Sequence, residues 1–115
     1  MPALQPDPAA IERLIVLGGP SLVAEVAQLF IDHGRSRVLQ LHDAWARQDL
    51  EGVSTAAHSV RSSAAQLGLS SFSRLARRLE DSGREGDVAG VALGMTALDD
   101  EFQRAVGALG SLLTS

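Results

Sequence analysis

The chain has no cysteine, no tyrosine and no lysine. Without cysteine there is no disulfide framework, and no thiolate to serve as nucleophile or metal ligand. Aromatics make up only 3% of the residues, as Trp45, Phe30, Phe72 and Phe102, so any core must be mainly aliphatic. Proline is confined to Pro2, Pro6, Pro8 and Pro20, which leaves everything beyond Pro20 free of the strongest helix breaker. Strand signals are weak, with no sustained alternation and no Asn-Gly turn. No apolar stretch approaches the ~20 residues that span a bilayer. Met1 to Ala10 carries no basic side chain, unlike a secretory leader. These absences imply a cytoplasmic protein with no membrane association.

What is present is ordinary for a globular chain: 115 residues, 45% hydrophobic, net charge −4. That length suits one domain, expected over residues 8–115, with 1–7 as a flexible N-terminus. All ten basic residues are arginine and they form no long run, which argues against nucleic acid as a main partner. An arginine in a lysine-like position therefore carries little information. Met1 and the short tail after Leu112 favour a free-standing protein.

Apolar spacing of three and four residues predicts helices throughout. A short amphipathic helix is expected from Pro8 to Leu17, ending at Gly18–Gly19. Pro20 can open a long helix, where its missing N–H does no harm. That helix carries Val23, Ala27, Phe30, Gly34, Val38, Leu41 and Trp45. Asp49 is placed to cap the next helix, with Val53, Ala57, Val60, Ala64 and Leu67 on one face and Gly68 as a left-handed stop. Ser70 is placed to cap a helix bearing Phe72, Leu75, Ala76 and Leu79, closed by Gly83. The last begins near Asp87 and carries Val88, Val91, Met95, Leu98, Phe102, Ala105, Leu109 and Leu112. The fold expected is all-α: an antiparallel up-and-down four-helix bundle with a short extra N-terminal helix.

His58 stands out in this frame. With residues about 100° apart around a helix, it falls roughly 140° from the apolar direction of its own helix. Ser54, Thr55, Ser62 and Ala65 surround it, all small, with Arg61 one turn on. An imidazole so exposed is open to a partner's active site, and a neighbouring cation would stabilise a phosphoryl group. A lone exposed histidine is more often plain surface, so geometry alone does not decide its role.

The segment Ala57-His58-Ser59-Val60-Arg61-Ser62-Ser63-Ala64-Ala65-Gln66-Leu67-Gly68-Leu69 resembles the signature of histidine-phosphotransfer domains. His58, Val60, Ser63 and Gly68 match that pattern, as do Ala57 before it and Leu79-Glu80 in the following helix. The likeness runs from about Pro20 to Leu112. Arg61 stands where the family usually has lysine, and Ser62 where glycine is common. Ser62 would either crowd an incoming phosphoryl group or donate to its oxygens.

The resemblance implies a phosphocarrier without independent turnover, not an enzyme. His58 would accept a phosphoryl group from a receiver-domain aspartate or a kinase and pass it to a response regulator. Arg61 would stabilise phosphoryl charge, and Glu80 would orient the imidazole or simply pair with Arg77 or Arg84. Ser62, Ala65 and Gln66 would touch the docked partner. The partners implied are the receiver domains of a response regulator and of a hybrid sensor kinase, met by a monomer. No cofactor is expected, since Mg2+ belongs to the receiver.

Rival readings are a metal or haem bundle, a sensor-kinase dimerisation helix, and an adaptor that binds a kinase or regulator without accepting phosphate. His33 and His42 lie nine residues apart on opposite sides of one helix, and no Glu-x-x-His pair occurs. Ser59, not an acidic residue, directly follows His58, no proline comes after it and no nucleotide-binding domain is present, unlike a sensor-kinase dimerisation helix.

Overall fold

In the computed structural model, which describes residues 6–114, the chain forms four helices: α1 Pro8–Ala46, α2 Leu50–Gln66, α3 Ser70–Glu85 and α4 Val88–Thr114. Among the described residues there is no strand. Each helix packs on its neighbour in sequence, and α4 returns to α1, closing a ring of four.

Local chemistry sets the boundaries. Asp7 caps α1, its carboxylate accepting from the Ala9 N–H at 3.0 Å, with Pro8 in the first turn. The helix runs through Gly18 and breaks at Gly19, where φ is 75° and ψ −173°, before Pro20 restarts it. Asp49 caps α2 through a 2.9 Å bond from the Gly52 N–H, and Asp87 holds the Gly90 N–H at 3.0 Å to start α4.

Two expected caps are corrected. Ser70 is the first residue of α3, not its cap; the turn is so short that buried Leu69 occupies the cap position without a side-chain bond. Gly83 does not end α3. It is buried inside the helix, and Gly86, with φ 74°, is the left-handed stop.

The core is the apolar stripe of each helix turned inward. Every expected α2 position is buried, and so are Phe72, Ala76 and Leu79 of α3. Val91 through Leu109 of the α4 seam are also buried, whereas Val88 at its start is exposed, and the Leu112 side chain lies outside those described. In α1, Ile31 and Ala44 join the expected stripe, while Val38 and Trp45 are only half-buried. Phe30, Phe72 and Phe102 meet with ring centroids 5.5 to 6.2 Å apart, the first two edge to face, and so join α1, α3 and α4 at one point.

The expected flexible tail lies outside the described residues from 1 to 5. Asp7, counted with that tail, is held: its N–H donates to the Gly68 carbonyl at 3.2 Å, and Ala10 is buried beside it. Gly68 has φ 68°, and a Cβ there would lie 2.9 Å from both Ala10 Cβ and the Asp7 nitrogen. Glycine is therefore required twice at this turn, for its backbone and for the segment packed on it.

By length and composition α1 is apolar enough to cross a membrane, with a mean hydropathy of 1.8 in its best window, 22% of which is buried. The expectation that no apolar stretch is long enough is corrected here, because the apolar residues on either side of Gly18, Gly19 and Pro20 join in one continuous helical element.

Candidate functional site

His58 lies in the middle of α2 with its side chain 58% exposed, as the helical geometry predicts. Across the α2–α3 interface stands Glu80, only 12% exposed. Two features bring these helices close enough for the pair to meet. Gly83 is buried against α2, where a Cβ would lie 2.8 Å from the Leu50 carbonyl oxygen and 3.1 Å from the Ser54 nitrogen. Ser54 Oγ then donates to the Glu80 carbonyl at 2.9 Å, pinning the backbone that carries the carboxylate.

The carboxylate is shared by three side chains. Arg61 Nε donates to Oε1 at 3.0 Å, His58 Nδ1 lies 3.0 Å from Oε2, and Arg84 Nη1 is 3.9 Å from Oε2. Burial alone would push the Glu80 carboxyl up. The hydrogen bonds from Arg61 and then His58, with the attraction of both groups, outweigh it and hold the carboxyl below its ordinary value.

One further contact competes for the same ring nitrogen. Arg61 Nη2 also lies 3.0 Å from His58 Nδ1. A guanidinium only donates and an ionised carboxylate only accepts, so a single ring nitrogen cannot satisfy both. The Glu80 side chain is 12% exposed, and among the described residues Oε2 has no other hydrogen-bond donor within reach, Arg84 being too far. Arg61, 27% exposed, has water as an alternative. Leaving the buried acceptor unmet costs more than leaving a partly wet donor unmet. Nδ1 therefore carries the proton, and in the neutral ring Nε2 carries the free lone pair.

The other expected residues are distributed around this centre. Ser62 is exposed, and its hydroxyl donates to the His58 carbonyl at 3.2 Å, one turn back along its own helix. It is thus occupied by the backbone rather than directed at the ring. Ala65 and Gln66 are exposed further along α2. Of the two arginines considered for Glu80, Arg84 comes near it, and it also pairs with Asp81. Arg61 is the principal partner.

Sequence reasoning missed Arg37 of α1, whose Nε donates to Ser59 Oγ at 2.8 Å beside His58. It lies 22 residues away in sequence and no local signal marks it. Among the described residues no three His, Asp or Glu side chains gather as metal ligands.

An outward imidazole, backed by a largely covered carboxylate and set on a helix, has a ring nitrogen free for nucleophilic chemistry. Residues 25–108 match the model of the Hpt domain, the greater part of the chain, and the protein belongs to that histidine-phosphotransfer family. No curated protein and no solved structure matches it. Hpt domains are phosphocarriers of two-component phosphorelays, interact with receiver domains and are generally soluble.

Proposed function

We propose that His58 is the phosphoacceptor of this Hpt domain, taking a phosphoryl group from a receiver aspartate and passing it to the receiver of a response regulator. The observation that carries this reading is the bond between Glu80 Oε2 and His58 Nδ1, because it leaves Nε2 as the outward nucleophile. In the transfer, the Nε2 lone pair forms the N–P bond while the aspartyl O–P bond breaks, its electron pair returning to the aspartate. The ring, still protonated at Nδ1, becomes cationic, and the Glu80 carboxylate stabilises that charge. Passing the group on reverses each change. The chain is a carrier and brings no cofactor of its own; Mg2+ is the receiver's.

Arg61 has two tasks in this scheme. Its Nε holds the carboxylate, and its remaining N–H groups turn toward the phosphoryl oxygens once Nε2 is charged. Ser62, Ala65 and Gln66 form the small, open rim against which a receiver docks. The short connections 47–49, 67–69 and 86–87 support an up-and-down bundle of antiparallel neighbours, and the break at Gly19 supports reading the helical segment before it as a separate arm. The protein acts as a soluble cytoplasmic monomer, α1 giving Val23, Ala27, Phe30, Ile31 and Leu41 to the core while Ile15, Val16, Leu17, Leu29 and Leu39 stay exposed.

The test is incubation with phosphorylated receiver domains, or with a hybrid kinase and ATP, followed by assay for acid-labile, alkali-stable phosphate. Label that disappears in His58→Gln is expected. No label with any partner would overturn the reading in favour of an adaptor that carries no phosphate, and label undiminished by that substitution would remove His58 as the acceptor.

A further inference from the structure

Beside the histidine, α2 and α3 enclose an open groove of about 400 Å3 lined by Arg61, Ala65, Ser73, Arg74, Arg77 and Arg78. Four of the ten basic residues of a chain with net charge −4 thus converge on one cleft. Arg74, Arg77 and Arg78 occupy consecutive turns of the exposed face of α3, and among the described residues none of them has a carboxylate within ion-pair distance. Three arginines outside the groove do pair with acids, Arg47 with Asp43, Arg84 with Asp81 and Glu80, and Arg104 with Glu101, but nowhere else do three without such a partner share one cleft among the described residues. Holding three unneutralised guanidiniums side by side is unfavourable by mutual repulsion, and an acidic ligand relieves it.

The groove is continuous with the phosphoacceptor. Arg61 belongs to both, and Ala65 lies two turns along α2 from His58. We propose that this groove recognises an acidic segment of the docked receiver domain and selects among receivers by its charge. The inference rests on the reading of His58 as phosphoacceptor. A receiver seated over His58 must cover the adjoining α2–α3 cleft, and the carboxylates it places there meet guanidiniums rather than water. Receivers bearing basic side chains at that place are repelled, so the groove contributes discrimination more than total affinity.

The test uses the full chain and a panel of purified, phosphorylated receiver domains. Association rates are measured for the wild type and for a triple variant, Arg74→Glu, Arg77→Glu and Arg78→Glu, at low salt and at about 1 M salt, where screening acts over about 3 Å. For receivers that exchange phosphate with the wild type, the triple variant should associate about tenfold more slowly at low salt. The difference should shrink toward unity at high salt, and lysine at the same three positions should restore most of the rate. Helical circular dichroism verifies that the variants fold. Equal association of wild type and the glutamate variant at low salt would refute the groove proposal while leaving phosphotransfer intact. So would tight, salt-sensitive binding of a nucleic acid in place of any receiver effect. A wild type that takes phosphate from no receiver would overturn both readings at once.

Discussion

Replacing Glu80 with alanine removes the acceptor that holds the proton on His58 Nδ1. A hydrogen bond to a charged group contributes about 1.5–3 kcal/mol. His58 is 58% exposed, so water screens this one and replaces part of it, leaving roughly 1–1.5 kcal/mol. Each 1.36 kcal/mol in the barrier is tenfold in rate, so transfer to His58 at saturating receiver should slow about tenfold in Glu80→Ala. The maximal rate should fall rather than the receiver concentration needed to reach half of it, because Glu80 sits behind the ring and 12% exposed. Rapid-quench transfer of labelled phosphate from a receiver reads both quantities. Transfer within twofold of the wild type would refute the argument that Glu80 sets the tautomer. The same carboxylate gives a second readout. Its folded value is held below the ordinary one, so it stabilises the fold at pH values above the usual carboxylate range, and that contribution is lost as pH falls through the folded value. Wild type and Glu80→Gln should therefore differ in stability near neutrality and converge in acid. A difference that grows in acid would mean the carboxyl is raised instead.

Arg61→Ala should slow transfer and also cost about 1–2 kcal/mol in denaturant unfolding, since Oε1 of the nearly buried Glu80 loses its donor; an unaltered transfer rate would remove Arg61 from the site. Gly83→Val should push α3 from α2 and weaken transfer even where the helices persist, measured by phosphotransfer beside circular dichroism; full activity would show that the close approach is dispensable. Phe72→Ala should cost about 3–5 kcal/mol, because it empties the centre of the three-ring cluster without touching the site, and thermal unfolding would show it.

Much of this arrangement was legible before any coordinates. The four helices and most of the buried positions followed from spacing, because a bundle buries one stripe per helix and the stripe repeats every three or four residues. The exposure of His58 followed from the same geometry, and its role, like that of Glu80, from resemblance. The ends were harder. Ser70 and Gly83 carry the local chemistry of a cap and a stop, but tertiary packing overrode both: buried Leu69 took the cap position, and α2 took Gly83 as a contact surface. Arg37 was invisible, since a bond between residues 22 apart leaves no periodic trace. The tautomer was also out of reach, because it depends on two contacts competing for one nitrogen.

The bond between Asp7 and the Gly68 carbonyl has a topological consequence. Gly68 lies ten residues along from His58, about 15 Å at the rise of a helix. The N-terminal segment is therefore moored just past the C-terminal end of α2, about two and a half to three turns from the histidine. Anything joined upstream of Asp7 starts its path within reach of the histidine, and a linker of modest length would hold it there at high local concentration. A domain appended on that side becomes a resident competitor or a resident partner for the docking face, according to its own surface.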